Sequence, residues 1–491
     1  MNIFRKPSFT ESTGDAIPFY HDGTYHIFSL TSPPGTTVYP DRLRTTWSHT
    51  ISEDLVTWKE LPTALYPGEG DEPDASGVWT GAALFGEGTY HIFYTGYNIH
   101  AEYQQTICHA VSDDSISWHK DPRNPIIIPN TELYEALDWR DPYVFYHEEE
   151  HEYWMLISAR RNNGPSTRRG CVILYKSPDL TSWHYSRALY TPGHTNCPEC
   201  SEMYKIGDTW YLSYSRFSEF GNTIYRIADT PYGPWKTPVK DGIGGRRFYA
   251  AKSMKNDEGR RFYFGWAHDR AGNSDAGQWY WGGLFCVPHE VVQDTNKELN
   301  VKLPIEIEAT AKQEIAWKLL PKLGNVVTHG KKSLSVASKE TFSYGFFDHC
   351  EEHFLFSCTI LPREVHDHFG LLIKSDDDAA NCLLLSFDVA MNRVSLLNLP
   401  MGVDPFWQQS CQAIPEPKEP GPDGIRVAEK VFKISLNSTI GIKALIDKDM
   451  VELFINDEVA FTYRYFAKAD HEIGYMVQDG EVYFDSITIK V

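Results

Sequence analysis

Along the first 295 residues the apolar positions come in short bursts, many of them aromatic, each cut off by Gly, Pro, Asp or Asn. That is the texture of short strands, and the 3.6-residue period of helices is nearly absent. One burst recurs: GTYHIF at 23–28, GTYHIFYTG at 88–96, HEYWMLIS at 151–158, GDTWYLSYS at 207–215 and GRRFYFGW at 259–266. A second motif follows the first four copies: SEDLVTW (52–58), SDDSISW (112–118), SPDLTSW (177–183) and ADTPYGPW (228–235). Repeats spaced 52 to 65 residues apart, with several short strands in each, predict a β-propeller, and five copies predict five blades. One four-stranded sheet cannot bury both faces alone, so blades stack radially. Trp58, Trp118, Trp183 and Trp235 are predicted to fill the space between them.

From residue 296 the pattern changes. Residues 296–344 read as a linker with one short helix. From 345 the chain is strand-rich again without the blade motif, at 353–360, 368–375, 381–389, 393–399, 440–447, 450–457 and 482–491. Alternation within these runs and turn residues between them predict a β-sandwich. The stretch 400–430, rich in Pro, Gly and acids, reads as a long exposed loop. The predicted fold is all-β: a five-bladed β-propeller at 1–295, a linker at 296–344 and a C-terminal β-sandwich at 345–491.

Composition narrows the function. Net charge is −20, from 46 Lys and Arg against 66 Asp and Glu. That argues against nucleic acid, because binding phosphates needs clustered cations. Aromatic residues make up 14% of the 491, a high share that suits strands and sugar-stacking surfaces. Neither a signal-peptide pattern at the start nor an apolar run of membrane-spanning length is present in the sequence. The expectation is a cytoplasmic protein without membrane contact. Nine scattered cysteines suggest no disulfide framework, and the lone Cys197–Cys200 CxxC pair has no second pair to complete a zinc site.

Three acids stand out. Asp15, Asp141 and Glu199 each lie about ten residues before an aromatic strand of the repeat. Each is therefore expected on the innermost strand of its blade (1, 3 and 4), at one level around the central channel. A carboxyl donor and a second carboxylate across a sugar ring are what glycosidic bond cleavage needs. Crowding also raises one pKa, so that one group stays protonated as the acid. Around them, Arg140 is a candidate for holding a carboxylate or a sugar hydroxyl, and Thr80 and Tyr249 share the predicted level. Trp79, Trp47 and Trp266 are candidates for stacking on a sugar, and His268 for reaching the pocket.

These residues carry a resemblance. Thr46-Trp47-Ser48-His49 with Asp54 through Trp58, Gly77-Val78-Trp79-Thr80-Gly81, Trp139-Arg140-Asp141-Pro142, Glu199-Cys200 and Phe248-Tyr249-Ala250-Ala251-Lys252 resemble glycoside hydrolase family 32, the β-fructofuranosidases. Val451 through Asp457 is similar to that family's sandwich. The resemblance implies a propeller plus sandwich and a retaining mechanism, with Asp15 as nucleophile, Glu199 as acid/base and Asp141 as transition-state stabiliser. The sequence departs from the family at the first motif. Gly14 stands for its Asn, Leu30 for a Gln, and Trp79-Thr80 for a Phe-Ser pair. The spacing after Asp15 also resembles family 43, whose arabinofuranosidases and xylosidases invert.

The resulting expectation is an exo-acting furanosidase that releases fructose from a small oligosaccharide without metal or organic cofactor, as a monomer or homodimer. An arabinofuranosidase or other pentose furanosidase, and a carbohydrate-binding protein that no longer cleaves, are the alternatives.

Overall fold

The computed structural model describes residues 3–7, 12–218, 220–399 and 423–491. It divides into two compact units, one of residues 2–269 and 281–306, the other of Arg270–Tyr280 and Ile307–Val491.

The first unit is the propeller. Blade 1 runs Thr13–His21, Thr24–Thr31, Thr46–Ser52 and Lys59–Leu65 as an antiparallel meander. Blade 2 (Gly77–Gly86 through His119–Lys120) and blade 3 (Tyr134–His147 through His184–Tyr190) repeat it. Blade 4 has Glu199–Ile206, Thr209–Arg216 and Asn222–Ala228, with Lys236 and Gly242 bridging its outer edge. Blade 5 comprises Tyr249–Lys255, Arg261–Arg270, His289–Gln293 and Leu299–Lys302. The innermost strands of blades 1 to 5 pack in order, and that of blade 5 returns to blade 1. Thr13 pairs with Gly283 to seal the ring, and Phe285 N–H donates to Arg5 O at 2.7 Å.

The second sequence motif is a capped turn. Asp54, Asp114 and Asp179 each accept the backbone N–H groups two and three residues on, at 2.6–2.9 Å. This Asx-type cap holds Leu55, Ser115 and Leu180 at φ of 65°, 60° and 62°. The following indole N–H then donates back to those three carbonyls at 3.0–3.2 Å. Each Trp is thereby laid against the preceding blade: Trp58 against Phe264, Trp118 against Phe28 and Trp183 against Phe93, all edge-on. Trp235 packs on the cluster of Trp154, Leu174 and Leu212.

The second unit is a sandwich built on two long strands, Leu334–Asp348 and His471–Lys490. Residues 473–477 of the latter pair with Phe369–Ile373, and 480–490 with Leu355–Val365. One strand thus serves both sheets. A bulge between Ser338 and Phe342 bends its partner in step. Between the sheets lie Phe347, Phe356, Phe369, Phe387, Tyr475 and Phe484. The segment expected to be a linker carries its one short helix, Ile305–Glu308. It also carries strands at Leu299–Lys302, Lys318–Leu323 and Asn325–Thr328 and the start of Leu334–Asp348. Lys318–Leu323 and Asn325–Thr328 pair along the long strand and are mostly exposed, so their apolar residues show no alternation. Of the expected loop at 400–430, residues 400–422 lie outside the described residues, and Arg426–Val431 is a strand.

Blade 2 shows how tightly this ring is packed. A Cβ on Gly81 would lie 1.8 Å from Phe93 O, a backbone atom of the neighbouring strand. Gly81→Ala is therefore expected to destabilise the propeller by about 3 kcal/mol or more, read as loss of unfolding temperature in a thermal melt.

Candidate active site

Every innermost strand of the ring carries one extra residue at the same height. Against their partner strands, Asp15 falls between the paired Gly14 and Ala16, and Thr80 between Trp79 and Gly81. The pairing also breaks after Arg140, after Glu199 and after Tyr249. The bulged residues are thus Asp15, Thr80, Asp141, Cys200 and Ala250. Four of them have left-handed backbones: φ is 21° at Asp15, 58° at Asp141, 52° at Cys200 and 45° at Ala250. A bulge re-aims side chains, so two consecutive residues of one strand serve the same end of the channel.

This register differs from the sequence expectation at one point. Asp15 and Asp141 are equivalent, but Glu199 stands one residue earlier, and Cys200 occupies the matching place. Glu199 is instead equivalent to Gly14, Trp79, Arg140 and Tyr249. The bulge lets both rows contribute, so the three acids still converge. Cys200 follows Glu199, its N–H donates to Asp141 Oδ2 at 2.9 Å, and its Sγ lies 3.9 Å from Asp15 Oδ2.

Each acid is held differently. Asp15 is buried; Thr80 Oγ1 donates to its Oδ2 and Trp266 Nε1 to its Oδ1 at 2.9 Å. Burial pushes its pKa up to about 6; the charge of Asp141 adds to this, while the Thr80 and Trp266 hydrogen bonds and Lys252 oppose it. Glu199 keeps about a fifth of its side chain in solvent (21%). Arg140 Nη2 donates to its Oε1 at 2.9 Å, and Tyr249 Oη donates to Oε2. Its pKa rises to about 7, again through burial first, with Asp141 raising it and Arg140 and Tyr249 opposing. Asp141 is buried, and Thr95 Oγ1 accepts its N–H at 2.8 Å. One site therefore holds a carboxylate that is largely ionised near neutrality and a carboxyl that keeps much of its proton.

The other predicted residues divide. Arg140 binds Glu199, lies 3.8 Å from Asp141 and is anchored by Asp138 and by Gln105 Oε1 at 3.2 Å. Thr80 and Tyr249 touch the acids directly. Trp79 is half-buried and stacks on Tyr97 with ring centroids 4.0 Å apart. His268 is half-buried, 4.2 Å from the Trp266 ring and 5.4 Å from Tyr249. Two stacking candidates are corrected. Trp47 is fully buried in the packing of blades 1 and 2, and its indole donates to Trp79 O at 3.1 Å. Trp266 is also fully buried, and it orients Asp15 instead of offering a face to a sugar.

Sequence reasoning missed Thr95 and Tyr97 on the second strand of blade 2, Gln105 on its third, and Asp138 on the innermost strand of blade 3, all of which support the site. It also missed Trp281. A Cβ on Gly14 would lie 2.7 Å from Trp281 Cζ2, so this half-buried indole fills the place beside the acid where the family carries an Asn. The signal was present: a Gly before the acid and an aromatic run, WYWGG, at 279–283.

Comparison with known proteins decides the family. Residues 16–302 match the glycosyl hydrolases family 32 N-terminal domain and residues 335–491 the family 32 C-terminal domain. The chain belongs to glycosyl hydrolase family 32. Among curated relatives, an insoluble β-fructofuranosidase of Arabidopsis thaliana (isoenzyme CWINV6) is 28% identical over 324 residues, covering 59% of this chain and 56% of that protein. One from Daucus carota, insoluble isoenzyme 2, is 28% identical over 59% of this chain and 52% of its own. The chain thus aligns with little more than half the length of the curated relatives it matches. Among solved structures, exo-inulinase from Aspergillus awamori superposes over all of this chain and 98% of its own with a TM-score of 0.74 at 18% identity. Fructan 1-exohydrolase IIa from Cichorium intybus covers 99% and 97% with a TM-score of 0.71 at 19% identity. These share the propeller-and-sandwich fold.

The raised pKa values also bear on stability. A carboxyl whose folded pKa exceeds its unfolded value binds protons more readily when folded, so stability falls as pH rises from about 4 through 6–7. Removing the buried charge should reverse this. Asp15→Asn and Glu199→Gln are each expected to raise the unfolding temperature by about 2–4 °C at pH 8, and by much less at pH 4.5, in melts across pH.

Proposed function

We propose that this family 32 protein is an exo-acting β-fructofuranosidase that cleaves terminal fructosyl units from small oligosaccharides with retention of configuration. The observation that carries the reading is the contact of one residue, Cys200, with both Asp15 and Asp141 while adjoining Glu199. It gathers the three acids, with Asp15 and Glu199 unequally protonated, into the space of one sugar. In the first step an Asp15 oxygen attacks the anomeric carbon, the glycosidic bond breaks, and the Glu199 proton passes to the leaving oxygen. In the second step Glu199 takes a proton from water, whose oxygen attacks the same carbon and releases Asp15. Asp141 and Arg140 are assigned the sugar hydroxyls and the positive charge that develops on the ring. Support comes from relatives named β-fructofuranosidases and from a structural neighbour, fructan 1-exohydrolase IIa, solved with 1-kestose.

A pentofuranoside is the second reading, and two departures favour it. Gly14 offers no side chain to a sugar, and Leu30 is buried among Phe28, Trp47 and Tyr94. Polar groups toward one edge of the ring are thereby fewer. Assay of sucrose, kestose, inulin and nitrophenyl arabinofuranosides, with the anomer followed by NMR, separates the two. Retained fructose is expected; an inverted pentose product would replace the first reading with the second.

Asp15→Asn and Glu199→Gln are each expected to lower kcat by about 10⁴-fold or more while the circular dichroism spectrum stays unchanged; near-normal turnover in either overturns the assignment. In the native protein kcat/KM should be bell-shaped, rising as Asp15 ionises near pH 6 and falling as Glu199 loses its proton near pH 7.

A further inference from the structure

Beneath the bulged row lies a second row, two residues further along each innermost strand: Ile17, Ala82, Tyr143, Glu202 and Lys252. Lys252 is only 2% exposed. Its ammonium reaches from blade 5 to Gly81 O of blade 2, donating at 2.6 Å, and lies 5.8 Å from the centre of the Tyr143 ring of blade 3. Gly81 follows Thr80, the residue whose hydroxyl donates to Asp15. One lysine thus holds the residue next to the one that presents a donor to the acid.

The distribution of charge makes the same point. The groups facing Asp15 are Thr80 from blade 2, Asp141 from blade 3, Cys200 from blade 4, and Tyr249, Trp266 and Lys252 from blade 5. Arg140 contacts Glu199 and Asp141, whereas the cation that lowers the pKa of Asp15 is Lys252. Facing Lys252 from blade 4 is Glu202, which is fully buried. It accepts Ser253 N–H at 2.8 Å, Ser253 Oγ at 2.8 Å and Ser213 Oγ at 3.1 Å, with Arg261 as a second cation near it. Burying an ammonium is costly unless it is paired and hydrogen-bonded. This one has Asp15 and Glu202 as its carboxyl neighbours and Gly81 O as its acceptor.

We propose that Lys252 is a positioning residue for Asp15: by gripping Gly81 it fixes the Thr80 hydroxyl on the carboxylate, and its charge favours the ionised form of that acid. The inference rests on the reading of Asp15 as nucleophile, and its test uses one measurement that needs no turnover. Lys252→Gln keeps a donor for Gly81 O and removes the charge; Lys252→Met removes both. In the glutamine variant the acid limb of kcat/KM is expected to move up by about one pH unit with KM within about 3-fold of wild type, and in the methionine variant kcat should also fall about 100-fold. Without the cation Asp15 is held charged at greater cost. At pH 8, therefore, Asp15→Asn should raise the unfolding temperature more in the Lys252→Gln background than in wild type, a non-additivity that a melt reads directly. An unmoved acid limb, a loss confined to KM, or additive melting shifts would each overturn the role of Lys252. Should the methionine variant not fold, the glutamine variant and its thermal cycle decide. A wild-type protein that hydrolyses no furanoside, yet shows the thermal coupling, would instead overturn the enzymatic reading and leave Lys252 paired to Asp15.

Discussion

Regular antiparallel strands alternate strictly, so consecutive residues face opposite ways. A ring of such strands could offer its axis one residue from each blade at a given height. The extra residue in every innermost strand lifts that limit and admits a second row. Arg140 with Asp141, Glu199 with Cys200 and Trp79 with Thr80 are consecutive pairs in which both members serve the site. Four non-glycine residues in left-handed backbone cost on the order of 1 kcal/mol each or more. The ring over-determines them: each bulge is pinned by hydrogen bonds from another blade, as Cys200 N–H is by Asp141 and Asp141 N–H by Thr95. Function and ring closure therefore rest on the same irregularity, repeated five times.

Burial is the dominant force on Asp15 and Glu199, and it acts on both in one direction. What separates their protonation is the set of partners. Asp15 receives two hydrogen bonds from neutral donors on blades 2 and 5; Glu199 shares its guanidinium with Asp138 and Asp141. For Glu199, burial and the charge of Asp141 outweigh the pull of Arg140 and Tyr249. The unequal pair that results is the arrangement acid/base chemistry requires.

Much of this was legible before any coordinates. The aromatic strand and the Asp-to-Trp turn recur because each blade must solve the same packing problem, and the solution is written in residues that have few substitutes. The acids were legible for the same reason: they precede a recognisable strand at nearly the same distance. What was hidden followed from pairing. The one-residue offset of Glu199 depends on the bulges, which leave no mark in hydrophobic pattern. The exposure of an indole is equally silent in sequence, so Trp47 and Trp266 read as sugar platforms until their burial was known. The sandwich strands at 318–328 lie on edges, where alternation is weak and propensity says little.

The departures at Gly14 and Leu30 are coupled to the rest of the site by packing. Trp281 can lie over Gly14 only because no Cβ is there, and its carbonyl in turn accepts Arg42 Nε at 2.6 Å while its N–H meets Tyr39 Oη at 2.8 Å. Leu30 lies in the same apolar cluster as Trp47, whose indole fixes the Trp79 carbonyl. An amide introduced at either place would meet a filled volume. Beside Asp15 the blade 1 side of the site is therefore apolar at these two places, while Arg140, Asp141 and Glu199 stand on blades 3 and 4. On the proposed reading, a furanoside bound here is gripped through its hydroxyls along the Arg140–Asp141–Glu199 edge and meets carbon on the other. Discrimination between sugars then falls to what the far edge carries, since a hydroxyl placed there would lose its water and gain no partner.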